Sequence, residues 1–187
     1  MKTFFAKTTI LLLFLALGTT LSAQKYFTKA GEIVFHSDAP LEKIEATNGT
    51  VTAVLDAETG RLQFAALIKA FRFEKALMQE HFNENYMESS KFPKATFSGE
   101  ITDGKVDWTT PGSYDVTVAG ELTIHGETKT VSAPATIVVR EGGMDAISTF
   151  TVAVADYGIE IPKVVAENIA KNVEIRVKVA LEPLAGR

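Results

Sequence analysis

The sequence contains no cysteine. Disulfides, thiolate metal sites and thiol nucleophiles are therefore excluded. Tryptophan occurs once and histidine three times among 187 residues. So few imidazoles, without a thiol, leave little material for a transition-metal centre. Basic residues never form a block: 19 Lys and Arg are interspersed with 23 Asp and Glu, for a formal net charge of −4. That pattern argues against a nucleic-acid or anionic-membrane surface built on clustered cations. No apolar run reaches the roughly 20 residues that a membrane-spanning helix needs. There is no Gly-x-Ser-x-Gly and no glycine-rich loop between a strand and a helix, so two common nucleophile and phosphate motifs are missing.

What remains is ordinary globular material, 46 % apolar and 22 % charged, in the quantity expected of one domain. Some of the apolar content sits at the N-terminus. Lys2 and Lys7 precede the run from Ile10 to Leu17, and a small-residue stretch ends in Leu21-Ser22-Ala23. This layout predicts a secretory signal peptide over residues 1–23, cleaved after Ala23. An uncleaved anchor is disfavoured because the run is too short to span a bilayer. The absence of cysteine also excludes a lipoprotein anchor. The expected mature domain, 24–187, has 164 residues and a net charge of −6. A secreted chain of this size without disulfides fits a bacterial periplasmic or secreted protein. In that setting the sequon Asn48-Gly49-Thr50 is read as coincidental.

The mature chain alternates. Val173, Ile175, Val177, Val179 and Leu181 oppose Asn172, Glu174, Arg176, Lys178 and Glu182. Period-2 patterning of this length predicts a strand with one dry and one wet face. Residues 113–125 repeat it. Further strands are expected at 31–37, 43–56, 61–71, 94–102, 128–140 and 144–155, with a helical or irregular piece at 162–170. Gly99 and Gly120 fall inside strands, where glycine marks a bend or a close approach. Residues 74–88 break the pattern and predict an amphipathic helix.

The fold class is all-β. Eight antiparallel strands hide one apolar face either as a two-sheet sandwich or as a closed barrel. Long strands with internal glycines favour an eight-stranded antiparallel β-barrel with the amphipathic helix across one end. Charges of both signs on the wet faces, and no aromatic girdles, favour an apolar interior over a lipid-facing exterior. The expected interior set is Phe64, Ile68, Phe97, Ile101, Tyr114 and Val116, continued by Val118, Leu122, Phe150, Val152 and Val154, and by Val173, Ile175, Val177 and Val179 of the last strand. Alternation alone leaves a solid core and an open channel equally admissible.

Two segments resemble the YceI-like family. One is the stretch 77–98, ending Phe92-Pro93-Lys94-Ala95-Thr96-Phe97-Ser98. The other is Gly120-Glu121-Leu122-Thr123-Ile124-His125-Gly126, followed by Thr128-Lys129. The similarity covers most of residues 27–182. It implies a lipocalin-like barrel with an apolar tunnel for a long isoprenoid or related lipid. The early strands depart from the family pattern, with Ala46 in place of a glycine and Asn48 in place of an aromatic. Ligand identity is therefore not carried over.

No catalytic constellation is readable. His81 and Glu84 are three apart on the expected helix, a spacing metals use, but no further ligand accompanies them. Glu80, Glu84 and Glu88 read as a solvated face. His125 is read as a turn and packing residue. Trp108 is either a guard of the barrel mouth or a packed loop anchor. The resulting expectation is a non-enzymatic periplasmic carrier for a polyprenyl chain or isoprenoid quinone, without other cofactor, nucleic acid or stable membrane insertion. Phe71, Phe73, Leu77, Met78 and Phe82 would sit at the entrance, on or beside a lidding helix. The alternative is a solid-core stress-response or protein-interaction module. A hydrolase or isomerase acting on a bound lipid has no residue support. Monomer and homodimer both stay open.

Overall fold

The computed structural model describes residues 25–184. The expected signal peptide, residues 1–23, lies outside the described residues. The long strands are β1 (Lys25–Asp38), β2 (Lys43–Asp56), β3 (Arg61–Leu67), β5 (Lys94–Asp103), β6 (Gly112–Ile124), β7 (Glu127–Arg140), β8 (Gly143–Ala153) and β9 (Asn172–Pro183). A two-residue strand, β4 (Arg72–Phe73), follows β3. The long strands pair antiparallel in the order β1-β9-β8-β7-β6-β5-β3-β2, and β2 pairs back onto β1. The sheet is thus a closed eight-stranded barrel, and closure leaves no exposed long edge.

The alternation read from sequence maps directly onto inside and outside. Facing pairs such as Phe64 with Phe97, Phe97 with Leu122, and Phe150 with Ile175 lie on the inner surface. Arg176 and Lys178 on β9 are exposed on the outer surface. The burial of apolar side chains is the main stabilising term for such a shell.

The connections divide by end. At one end the β2–β3 and β7–β8 turns are short, and the β5–β6 loop is of moderate length. The other end carries the tight β6–β7 hairpin and three further connections, the four-residue 39–42 and the long 68–93 and 154–171. The helix belongs to the second of these. It is shorter than the predicted 74–88: α1 spans Ala76–His81 and continues as one π-helical turn, Phe82–Tyr86. Lys75 at its N-cap makes no side-chain cap, so nothing extends the helix backwards. The Met87 N–H donates to the Phe82 carbonyl at 2.9 Å, closing the wide turn.

The predicted strand 61–71 also ends early. Ile68–Ala70 form a 3₁₀ turn, and the Ile68 N–H donates to the Pro93 carbonyl instead of continuing the ladder. The chain then rejoins β2 through β4, which pairs at Ala46 and Thr47. The predicted irregular piece at 162–170 contains only a short 3₁₀ turn, Lys163–Val165.

Gly99 and Gly120 face each other across β5 and β6. A Cβ on Gly120 would lie 2.4 Å from Gly99 Cα, and one on Gly99 would lie 2.4 Å from the Ala119 carbonyl oxygen. The two strands approach as closely as they do only because neither carries a side chain there. Gly120→Val is expected to lower the unfolding free energy by about 1–3 kcal/mol, the cost of forcing added volume into packed structure. An unchanged denaturation midpoint would contradict this close approach.

Candidate functional site

The barrel is solid in one half and hollow in the other. Near the short turns, Leu55, Ile137, Met144 and Leu181 are each at most 1 % exposed and fill the interior. The β5–β6 loop seals this half from below. Its Val106 and Trp108 pack against the buried cluster, together with Ile101 and Tyr114. Trp108 is therefore a packed loop anchor, away from the mouth.

The loop that holds Trp108 is itself fastened by a carboxylate. Asp107 accepts from the Thr109 N–H and hydroxyl and from the Thr110 hydroxyl, at 2.7–2.9 Å. The Tyr114 hydroxyl donates to the Thr110 carbonyl at 2.9 Å. These bonds, the Thr109 hydroxyl first, hold the Asp107 carboxyl down to about 2 from its ordinary value of 3.8.

Toward the long connections the interior opens into a cavity of about 460 Å³. That is within the range of roughly 300–1,000 Å³ typical of small-molecule sites. Side-chain volume explains the space. Around its walls the inward positions include Ala66, Ala95, Ala133, Ala135 and Ala146. Close-packed interiors leave few voids larger than a water molecule, so this one is a feature of the sequence.

Most of the predicted interior residues reach the cavity. Phe64, Phe97, Val118 and Leu122 form one wall; Phe150, Val152, Ile175 and Val177 form the other. Ile68, Phe71, Phe73 and Phe82 line it near the mouth. Four predicted residues do not. Ile101, Tyr114 and Val116 face inward but belong to the solid half, and Val116 is buried in that cluster. Leu77 is 61 % exposed, because Met78, Phe82 and Tyr86 form the inner face of the helical segment.

Other lining residues were not anticipated. Ile33, Phe35 and Ile44 come from β1 and β2, and Ile159, Ile161 and Ile169 from the connection before β9. Phe35 organises the mouth. Its ring lies 5.6 Å from those of Phe71 and Phe73 and 5.4 Å from that of Phe82. Such pairs add about 0.5–1.5 kcal/mol each beyond area burial. The Phe35-x-x-x-x-x-x-x-x-Ile44 spacing across one short connection was the available signal.

Polar lining atoms are few, and several gather at the mouth: Ser37, Glu42, His81 and Asn168. Burial raises the Tyr86 hydroxyl above its ordinary value, as a largely apolar surrounding would. Among the described residues no three His, Asp or Glu side chains come together to hold a metal ion.

Three ties hold the mouth connections in place. Ser37 Oγ accepts the Ala170 N–H at 2.9 Å, and the Leu41 N–H donates to the Glu167 carbonyl at 3.0 Å. Asn48, fully buried, donates to the Leu67 carbonyl and accepts from Thr50. Its burial also leaves no room for a glycan. The third tie is His125, whose φ of 51° begins the β6–β7 turn. Its ring meets Glu88 Oε2 at 2.9 Å, the Tyr157 carbonyl at 3.1 Å and the Phe92 ring at 4.6 Å. The two segments that carried the family resemblance therefore touch in space, and His125 is a turn and packing residue.

A closed antiparallel barrel with one plugged end and one apolar, end-opening cavity defines the lipocalin-like class of architecture. Within that class the chain belongs to the YceI-like domain family, whose model matches residues 22–181. No curated protein sequence matches it. Solved structures share the fold, among them the following three. A polyisoprenoid-binding domain from Saccharophagus degradans, implicated in plant cell wall breakdown, is 12 % identical with a TM-score of 0.72, covering 87 % of this chain and 99 % of that one. Burkholderia cenocepacia BcnA is 17 % identical with a TM-score of 0.66, covering 81 % and 95 %. A Campylobacter jejuni YceI protein is 14 % identical with a TM-score of 0.57, covering 99 % and 100 %.

The Asp107 geometry sets a pH dependence for the plug. A carboxyl whose folded value is depressed contributes order above its unfolded value of 3.8, and that contribution disappears as pH falls through about 2. The emission of Trp108, the single tryptophan, should shift to the red between pH 4 and pH 2. Asp107→Ala should show the shifted emission already at neutral pH. Identical spectra for the two chains would show that Asp107 does not hold the loop.

Proposed function

We propose that the protein is a non-enzymatic carrier of a long apolar lipid, a polyprenyl chain or isoprenoid quinone, held in the hollow half of the barrel. The single observation that carries this reading is the cavity of about 460 Å³ with its almost wholly aliphatic and aromatic lining. Burial of an apolar chain stabilises the complex by about 25 cal/mol per Å² removed from water, less the cost of ordering. A ligand of many methylene or isoprene units then needs few polar contacts. The similarity of fold to a polyisoprenoid-binding domain supports the same ligand class. The cavity speaks against the solid-core alternative.

The ionisable lining residues Glu42, His81 and Tyr86 come from the connections 39–42 and 68–93 at the mouth, and Glu42 is already paired with Lys75 at 3.1 Å. The cavity depths present aliphatic and aromatic walls, which suit shielding a chain more than transforming it. Lys2, Lys7, the Ile10–Leu17 run and Ala23 support export to the periplasm. The exported chain is then expected to begin at Gln24, and a retained residue 1–23 segment in the secreted fraction would contradict this.

Organic extraction and mass spectrometry of the purified mature protein test the carrier reading. An isoprenoid lipid near one per chain is expected, or uptake of an added polyprenyl quinone to that level. Ala135→Phe fills the cavity and should reduce retained lipid at least tenfold while the fold is kept. Val118→Arg should do the same by placing an unpaired charge among apolar walls. Neither endogenous lipid nor uptake of added quinone by the unaltered protein would overturn the reading.

A further inference from the structure

Ile44 and Met78 each border two spaces. One is the apolar cavity. The other is a polar depression of about 350 Å³ lined also by Lys43, Glu45, Thr47, Arg72, Glu74 and Lys75. The two meet where β2 runs past β4 toward the start of α1. β4 is stitched to β2 only at Ala46 and Thr47. Nearer the mouth, side chains bridge the seam: Lys75 Nζ meets Glu42 Oε1 at 3.1 Å. Glu42 lines the cavity and Lys75 lines the depression, so the ion pair reaches from one space to the other. Ion pairs exposed in this way hold their partners weakly and exchange readily.

The depression carries three cations, Lys43, Arg72 and Lys75, and two carboxylates, Glu45 and Glu74. Several of these are engaged: Lys43 with Asp38 at 3.4 Å, Glu45 with the His36 ring at 3.1 Å, and Lys75 with Glu42. The Arg72 guanidinium has no ion-pair or hydrogen-bond partner among the described residues. Glu74, two residues along the chain, is the acid left beside it. A guanidinium is a planar fork of donors that matches a phosphate in a bidentate way, and an adjacent ammonium adds charge without geometric demand.

We propose that this seam is a lateral portal, and that the ligand is an amphiphile whose apolar chain fills the cavity while its phosphate head group sits on Arg72 and Lys75. The proposal rests on the apolar-lipid reading and deepens it by assigning a head group. Ile44 and Met78 are the apolar sides of the portal, where the chain passes from its dry compartment to the charged one. On opening, Lys75 exchanges the Glu42 carboxylate for the phosphate. The preference for a phosphate should weaken as salt rises, because the depression is open to water.

The test titrates farnesyl phosphate, farnesol and inorganic phosphate separately against the unaltered mature protein and against Arg72→Gln/Lys75→Gln. The unaltered protein is expected to bind farnesyl phosphate at least tenfold more tightly than farnesol, with inorganic phosphate far weaker than either. The double variant should still bind farnesol, which reports an intact fold, and should lose the preference for farnesyl phosphate. Equal affinity of the unaltered protein for the two prenyl probes overturns the head-group assignment and leaves the apolar-lipid reading intact. So does a preference that survives in the variant. Inorganic phosphate binding as tightly as farnesyl phosphate overturns the link between depression and cavity. No binding of either prenyl probe overturns the lipid reading together with this one.

Discussion

Everything in this molecule depends on the pairing of β1 with β2, which closes the sheet into a ring. Once a ring of eight strands is closed, its internal volume is set by strand number and tilt, and side chains must fill it or leave it empty. Here they do both. Large inward residues such as Leu55, Ile137, Met144 and Leu181 fill the half beneath the short turns. Beyond it, alanines on β3, β5, β7 and β8 leave a void that the backbone cannot collapse to remove, because collapse would break the ladders. The hollow is thus a consequence of closure plus small side chains at one level of the barrel.

Placement of the longer connections at one end converts that hollow into a site. The mouth is built from chain that has left the ladders, yet it is not loose. Ser37, Asn48 and His125 tie it to the barrel through hydrogen bonds to backbone and side-chain partners. Its apolar contents, the Phe35, Phe71, Phe73 and Phe82 rings, are held by one another. Local opening free energy tracks the density of such contacts, so opening belongs to the segment 68–93 with its short helix and two-residue strand before any long strand. The Glu42–Lys75 pair, whose ammonium is largely exposed, is a side-chain contact along that border.

Much of this was legible in the sequence, for a physical reason. A strand whose faces meet oil and water must alternate, so the boundaries of β2 match the expectation at both ends, and those of β5 to β9 differ by one or two residues. Alternation reports which side of the sheet a residue takes. It does not report height along the barrel axis, which depends on how strands are staggered. Ile101, Tyr114 and Val116 were assigned to the site for that reason, although they lie on the correct face. Leu77 shows a second limit. The expected apolar face holds Leu77 and Met78 together, but adjacent helical residues point about 100° apart, and packing turns Met78 inward and leaves Leu77 in solvent. β4 was hidden because two residues carry no period. The lining isoleucines of 159–169 lie in irregular chain, where periodicity carries no direction.

The most direct test of the hollow half is the dependence of affinity on chain length. Straight-chain primary alcohols from six to fourteen carbons would be titrated calorimetrically against the mature protein. Each methylene transferred from water into an empty apolar cavity contributes about 0.8 kcal/mol, so Kd should fall about fourfold per carbon and then level off once the cavity is full. Affinity that does not change with chain length would show that no continuous apolar space receives the chain.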